Sequence, residues 1–284
     1  MGSALEPSAR TTNDQTPPPA PDQSPTPAVS TQGGDAQLSA RDVVVAYGGV
    51  TAVNGVSLDI HEGEALGLIG PNGAGKSSFL AALGGQVKIT RGSIVLDGRE
   101  VGHMPAFERA RLGITRTFQL TSEFAQMTVF ENLVTAGHGA SGSSLGSVVL
   151  RWRKTRDAEL EIARRAWATL DRFEMSHTAD LYGAELSGGQ RRLVEIMRCL
   201  MREPKVLLLD EPMVGVAPHL VDKLIADLRS IRAEGIALVI VEHALEVVQE
   251  LCSRVVVLAL GQPIASGTFD VVVADPEVQA AYVG

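Results

Sequence analysis

The sequence has few cysteines and no long apolar run. Its two cysteines, Cys199 and Cys252, belong to no CxxC or metal-ligand spacing, so we expect buried thiols in a reducing compartment. The longest apolar runs, Ile236–Val241 and Val255–Leu260, are six residues each. A membrane-spanning helix needs roughly 20 apolar residues, so these runs are typical of buried strands instead.

The sequence also lacks an excess of basic residues. The formal net charge is −8 and the sequence pI is about 5.3. Nucleic-acid-binding proteins usually carry a broad electropositive surface, and this composition leaves only a local basic patch open. We therefore expect no nucleic-acid partner.

The N-terminal segment, residues 1–37, has almost no large apolar side chains. It contains seven of the 14 prolines together with many Ser, Thr and Gln residues. Such a segment cannot bury enough surface to offset its ordering entropy. We predict a disordered tail at residues 1–37 and one folded domain at residues 38–284.

The remaining pattern predicts an α/β fold with a β-rich start and a helical subdomain inserted at about residues 120–185. In the insertion, Leu160, Ala163, Trp167 and Leu170 recur at spacings of three and four, as on the apolar face of a helix. The later apolar runs are typical of parallel strands buried on both faces. The predicted strands are Val43–Ala46, Val56–Ile60, Ala65–Ile69, Ser93–Leu96, Val206–Leu209, Ile236–Val241 and Val255–Leu260. The predicted helices are Asp157–Phe173, Leu220–Ala233 and Leu245–Cys252.

A glycine-rich motif of the form GxxxxGK[ST] follows the strand Ala65–Ile69 and precedes the helix-like run Ser77–Leu83. Its glycines let successive backbone N–H groups converge on phosphate oxygens, and the following helix adds its positive end. We expect Lys76 to bind the β- and γ-phosphates and the Ser77 hydroxyl to ligate Mg²⁺. The predicted ATP contacts in this motif are Gly70, Pro71, Asn72, Gly73, Ala74, Gly75, Lys76, Ser77 and Ser78.

Two acidic residues, Asp210 and Glu211, follow the predicted strand Val206–Leu209. A carboxylate at the carboxyl end of a parallel strand lies in the crevice where ligands bind. We expect Asp210 to hold Mg²⁺ and Glu211 to orient and polarise the attacking water as the catalytic carboxylate.

A third motif identifies a family. Its residues are Leu186, Ser187, Gly188, Gly189 and Gln190. With them, the sequence resembles the ABC ATPases, whose signature is LSGGQ and whose motif order is the same. The resemblance covers about residues 38–284 and implies a P-loop NTPase core in which the signature contacts ATP held by a second ATPase subunit. Two glycines at a helix start suit a γ-phosphate.

The resemblance also implies roles for three single residues. Tyr47 matches the aromatic residue that stacks on adenine, and Gln119 matches the glutamine that senses Mg²⁺ and contacts the nucleotide. His243 matches the switch histidine, a second catalytic residue that contacts the γ-phosphate. One position departs from the family pattern, because Ala217 stands where many relatives carry an Asp that helps the two subunits communicate. This departure puts symmetric coupling between the subunits in doubt.

Within the family, the sequence is most similar to ATPase subunits of branched-chain amino-acid importers. The stretches that carry this likeness are 47–53, 116–119, 127–133, 195–199, 215–218 and 281–284. The resemblance implies ATP and Mg²⁺ as cofactors, and permease subunits, a second ATPase and a solute-binding protein as partners. It implies a peripheral position on the cytoplasmic face of the membrane, and a groove near residues 119–136 that receives a permease helix.

The sequence leaves several alternatives to a branched-chain amino-acid importer open. Urea importers and lipopolysaccharide exporters have similar ATPases, and other ABC ATPases act in translation or DNA repair. The last group usually carries two ATPase domains or a long coiled-coil insertion, and this sequence has neither. Small-molecule kinases share the glycine-rich loop but have no reason to carry LSGGQ.

Overall fold

The computed structural model describes residues 36–117, 122–138 and 152–283. The predicted tail up to residue 35, the Gly- and Ser-rich stretch at residues 139–146, which the sequence predicts to be a loop, and Gln119 lie outside these ranges.

The described part of the chain begins with a four-stranded antiparallel sheet. Its strands are β1 (Leu38–Tyr47), β2 (Val50–Ile60), β4 (Arg91–Leu96) and β5 (Arg99–Glu100), in the order β2-β1-β4-β5. Strands β1 and β2 alternate buried and exposed residues over much of their length, so one face of this sheet packs on the core.

A six-stranded sheet forms the centre of the domain. Its strands are β3 (Ala65–Ile69), β6 (Ile114–Arg116), β7 (Val206–Asp210), β8 (Ala237–Val241), β9 (Arg254–Ala259) and β10 (Gln262–Gly267). The order is β10-β9-β3-β8-β7-β6, and only β10 runs antiparallel to its neighbour. The register pairs Leu68 with Val241 and Asp210 with Val241, so β3, β8 and β7 end at one edge.

Helices cover both faces of the central sheet. They are α1 (Lys76–Leu83), α2 (Ala106–Leu112), α3 (Ser122–Ala125), α4 (Val129–His138), α5 (Trp152–Arg172), α6 (Gly188–Leu200), α7 (Pro218–Ala233), α8 (Leu245–Leu251), α9 (Phe269–Val273) and α10 (Pro276–Val283). One apolar cluster joins the four-stranded sheet, α1 and one face of the central sheet, and another joins the opposite face to α4–α8.

This architecture confirms the predicted α/β fold, with a β-rich start and helices α3–α5 between β6 and α6. Strand β3 has the predicted bounds, while β1 and β2 begin five and six residues earlier than predicted. Within the described residues, no helix is long and apolar enough to cross a membrane.

The predicted apolar face of α5 is right at Leu170 and wrong at Leu160 and Trp167. Leu160 and Trp167 are 48% and 45% exposed, whereas Ile162, Ala166 and Leu170 are buried. Leu170 belongs to the predicted and the observed face, both of which have helical spacing, and the packing of α5 on α4 and α6 selects Ile162 and Ala166 as its buried neighbours. Trp167 instead lies against the ring of Phe130 on α4, with 5.3 Å between the ring centroids.

Candidate nucleotide site

The glycine-rich loop lies between β3 and α1, at the edge where the parallel strands end. Gly70 and Gly75 have φ angles of 142° and 96°, which are unfavourable for residues with a Cβ. A Cβ at Gly70 would lie 2.0 Å from the carbonyl oxygen of Leu258, and one at Gly75 would lie 2.2 Å from that of Ala52. The loop conformation therefore requires glycine at both positions.

Lys76 is the first residue of α1, and its ammonium group is turned back onto the loop. The Nζ atom donates to the carbonyl oxygens of Gly70 at 2.7 Å and Pro71 at 3.0 Å. Burial lowers the pKa of Lys76, and the negative charges of Glu211 and Asp210 partly offset that effect. The loop thus holds a buried cation beside carbonyl groups that a phosphate could replace.

Ser77 and Asp210 bring two oxygen ligands together from distant parts of the chain. Ser77 Oγ on α1 donates to Asp210 Oδ1 at the end of β7, over 3.3 Å. Hydroxyl and carboxylate oxygens are the ligands that Mg²⁺ prefers, so this pair fits the predicted metal. Asp210 Oδ2 also accepts from Arg116 Nη2 at 2.7 Å.

Glu211 and His243 meet beside the same sheet edge. His243 Nε2 lies 3.3 Å from Glu211 Oε1, and both side chains are partly exposed. The backbone N–H of Glu211 donates to the carbonyl oxygen of Val241 at 2.8 Å. Glu211 has a φ of 48°, in the left-handed region that residues with a Cβ rarely adopt. A partly exposed carboxylate paired with an imidazole can orient a water molecule.

The signature residues form the start of α6. Ser187 Oγ accepts from the backbone N–H of Gln190 at 3.2 Å, and Gln190 Oε1 accepts from that of Ser187 at 2.9 Å. This capping box leaves the first N–H groups of the helix available to an anion. A Cβ at Gly189 would lie 3.2 Å from the carbonyl oxygen of Gly215, so the helix start packs closely on the segment after Glu211.

The sequence matches the family model described as "ABC transporter" over residues 53–214, more than half of the chain. This chain belongs to the ABC transporter family. It is 37% identical over 250 residues to the high-affinity branched-chain amino acid transport ATP-binding protein LivG of Salmonella typhimurium, covering 87% of this chain and 97% of the relative. BraF of Pseudomonas aeruginosa, a protein with the same description, is 35% identical with the same coverages.

Solved structures of ABC cassettes agree with this assignment. A nucleotide-free ATP-binding cassette from an ABC transporter aligns with a TM-score of 0.78 and 34% identity, covering 88% of this chain and all of that one. An ABC transporter cassette in its ADP conformation aligns with a TM-score of 0.77. The predicted ABC ATPase fold, ATP binding and ATPase activity are thereby confirmed, while the roles of single residues stay predictions.

Of three other residues named in the sequence predictions, the structure describes Tyr47 and Ala217. Tyr47 is 48% exposed at the end of β1, next to the strand whose Ala52 touches the glycine-rich loop. The Mg²⁺ and nucleotide role of Gln119 stays a prediction, because that residue is outside the described ranges. Ala217 is the N-cap of α7 and makes no side-chain capping bond.

Sequence reasoning missed three charged residues of this ABC ATPase site. Arg116 pairs with Asp210, and Arg192 on α6 donates to the carbonyl oxygen of Glu211 at 3.0 Å. Glu242 is buried, and its carboxylate accepts from the backbone N–H groups of Met213 at 2.8 Å and His243 at 3.0 Å. The only sequence signal for these residues was their position beside the motifs.

Proposed function

We propose that this chain binds and hydrolyses ATP to energise import of branched-chain amino acids, or of a similar small polar solute, through separate permease subunits. The observation that carries the proposal is the meeting of Lys76, Ser77, Asp210, Glu211 and His243 at one edge of the central sheet. The named function of LivG and BraF supports the choice of solute class.

The loop residues would bind the phosphates. Lys76 Nζ would exchange the carbonyl oxygens of Gly70 and Pro71 for β- and γ-phosphate oxygens, which form stronger charge-assisted hydrogen bonds. Ser77 and Asp210, with Gln119, would hold Mg²⁺, which neutralises charge on the phosphates when bound. Tyr47 would offer its exposed ring to the adenine.

Glu211 and His243 would carry out the hydrolytic step. The Glu211 carboxylate would accept a hydrogen bond from the attacking water and aim its oxygen at the γ-phosphorus. His243, 3.3 Å from that carboxylate, would fix its orientation and contact the γ-phosphate. Glu242 supports both residues, because its buried carboxylate joins the backbone of the segment after Glu211 to that of His243.

The active assembly would contain two ATPase subunits. The capped start of α6, with Ser187 and Gln190, would contact ATP held by the second subunit. Because Ala217 lacks a carboxylate, the second subunit would be a related but different ATPase. A pull-down of the intact transporter should recover both proteins, and a fully active transporter with two copies of this chain would contradict the hypothesis.

The permease would dock on two adjoining depressions beside α4. A cavity of about 590 Å³ is lined by Gln86, Phe107, Arg116, Phe124 and Thr135, among other residues. Another of about 260 Å³ is lined by Met127, Phe130, Glu131, Val134 and Thr135. These residues overlap the predicted groove near residues 119–136. The chain would thus act at the cytoplasmic face of the membrane. The complete transport system would also contain a solute-binding protein.

Transport by the reconstituted system tests this function. The chain, its permease subunits, its partner ATPase and its solute-binding protein would be placed in proteoliposomes with internal ATP, and uptake of labelled leucine, isoleucine and valine measured. We expect uptake with the wild-type chain and at least about a hundredfold slower phosphate release with Glu211→Gln. Uptake of urea alone, or no uptake of any of these solutes, would contradict the proposed substrate class.

A further inference from the structure

Arg192 joins the signature helix to the backbone of Glu211. It lies on α6, two residues after Gln190, and each of the two terminal nitrogens of its guanidinium group donates a hydrogen bond. Nη1 donates to Glu195 Oε2 at 2.6 Å, and Nη2 donates to the carbonyl oxygen of Glu211 at 3.0 Å. The side chains of Arg192 and Glu195 are 14% and 6% exposed, so water competes little for this bridge.

Glu211 needs such support because its backbone is strained. A left-handed φ of 48° is unfavourable for a residue with a Cβ. Such conformations persist only where the surroundings hold them. The N–H of Glu211 is held by Val241, and its carbonyl oxygen accepts from Val214 N at 3.2 Å as well as from Arg192. Arg192 is the charged member of this set and reaches Glu211 from another element.

We propose that Arg192 is a positioning residue for Glu211, so that the orientation of the α6 signature helix sets the reactivity of the carboxylate in the same chain. The proposal rests on the proposed catalytic role of Glu211. The planar guanidinium fixes the angle between its two bonds, and Glu195 anchors one of them. A shift of α6 therefore moves the Glu211 carbonyl, and with it the direction of the Glu211 side chain.

The predicted variants separate positioning from simple structural support. Arg192→Met keeps much of the apolar stem and removes both bonds, so we expect kcat to fall about tenfold with the KM for ATP changed less than twofold. Arg192→Lys keeps the charge and can reach one partner, so it should recover part of kcat. Glu195→Gln removes the anchoring charge and should lower kcat by about threefold. Arg164→Met, on the exposed face of α5, is the matched control with unchanged kcat.

A double-mutant cycle with Glu211→Gln tests whether Arg192 acts through Glu211. Phosphate release would be measured for the full chain assembled with its partner subunits, in single-turnover reactions long enough to detect residual hydrolysis. If Arg192 acts through Glu211, Arg192→Met should change the residual rate of the Glu211→Gln variant by less than twofold. The melting temperature of each variant shows whether the assembly is folded. If Arg192→Met does not fold, Arg192→Lys and Glu195→Gln are used for the test instead.

The outcomes distinguish this proposal from the proposed function. A large loss in Glu211→Gln, with unchanged kcat in Arg192→Met or an equal loss in both backgrounds, would overturn the positioning role of Arg192 alone. A near wild-type rate in Glu211→Gln would overturn the catalytic role of Glu211 itself. A rise in KM with constant kcat in Arg192→Met would also reject the proposal, because it would indicate a change in nucleotide binding.

Discussion

Arg116 and Asp210 form an ion pair of 2.7 Å at the carboxyl end of the two neighbouring strands β6 and β7. The second carboxylate oxygen of Asp210 accepts from Ser77 Oγ at 3.3 Å. Both oxygens of the predicted Mg²⁺ ligand therefore have protein partners. Arg116 also lines the cavity of about 590 Å³, so one side chain connects the candidate metal site to the proposed permease surface.

Arg116→Gln should lower the Mg²⁺ concentration needed for nucleotide binding. The guanidinium competes with a metal cation for the Asp210 carboxylate, and the substitution removes that competition. We expect the Mg²⁺ concentration for half-maximal binding of a fluorescent ATP analogue to fall about tenfold, equivalent to about 1.4 kcal/mol. Arg99→Gln, on the exposed strand β5, is the control. An unchanged or higher Mg²⁺ requirement in Arg116→Gln would contradict the competition.

Lys76→Ala should weaken ATP binding itself. Charge-assisted hydrogen bonds contribute about 1.5–3 kcal/mol each, so we expect the Kd for ATP to rise at least tenfold. Glu211→Gln, by contrast, should leave the Kd within about threefold, because the carboxylate acts on water rather than on phosphate. Nucleotide titration of both variants and the wild type checks this contrast, and equal effects on Kd would show that the roles are assigned wrongly.

The sequence predicted the local parts of the site because short segments determine them. The positive φ angles at positions 70 and 75 require glycine, and the acids at 210 and 211 directly follow the apolar run 206–209, so local spacing was sufficient. The contact of Arg116 with Asp210 spans 94 residues and depends on the strand order β8-β7-β6. Nothing in the local spacing specifies which strand lies beside β7.

Deleting residues 1–35 should leave the melting temperature and the ATPase rate nearly unchanged, because a Pro-rich segment poor in apolar residues adds little to a packed core. The folded part includes Gln37, because its carbonyl oxygen accepts from Asp97 N at 2.9 Å. Deletion through residue 40 is the matched comparison, because it also removes the fully buried Leu38 and Ala40. A large loss of melting temperature in the shorter deletion would contradict the predicted tail.

Cys199 and Cys252 should resist thiol reagents at pH 8 in the folded protein. Burial raises the pKa of each thiol from 9.0 to about 12. Ellman's reagent should therefore label both thiols quickly only in denaturant, because the thiolate is the reactive form. Fast labelling of the native chain would contradict the burial of Cys199 and the partial burial of Cys252.

The same pKa shift predicts a pH dependence of stability. Because the folded pKa is raised, the thiol contribution to the free energy of unfolding is fully present below about pH 9 and is lost between about pH 9 and 12. Chemical denaturation between pH 8 and 10.5 should show a steeper decline for the wild type than for Cys199→Ala with Cys252→Ala. Parallel declines would show that the thiols do not contribute to this slope.

Ala217→Asp should stabilise the chain by capping α7. Ala217 has the extended backbone of an N-cap, with φ −65° and ψ 140°, precedes a proline at the first helical position, and offers no side-chain acceptor. An Asp there can accept from an N–H of the first turn and lies at the positive end of the helix. We expect about 1 kcal/mol of added stability and a melting temperature about 2–4 °C higher.

Ala217→Asn separates capping from charge at this position. Asn caps a helix about as well as Asp, so both variants should raise the melting temperature of the isolated chain by similar amounts. If the missing carboxylate also limits pairing of two copies, only Ala217→Asp should increase ATP-dependent self-association in the Glu211→Gln background, measured by light scattering. A lower melting temperature in both variants would show that the N-cap of α7 cannot accommodate a polar side chain. Equal self-association in both would assign that effect to capping and not to charge.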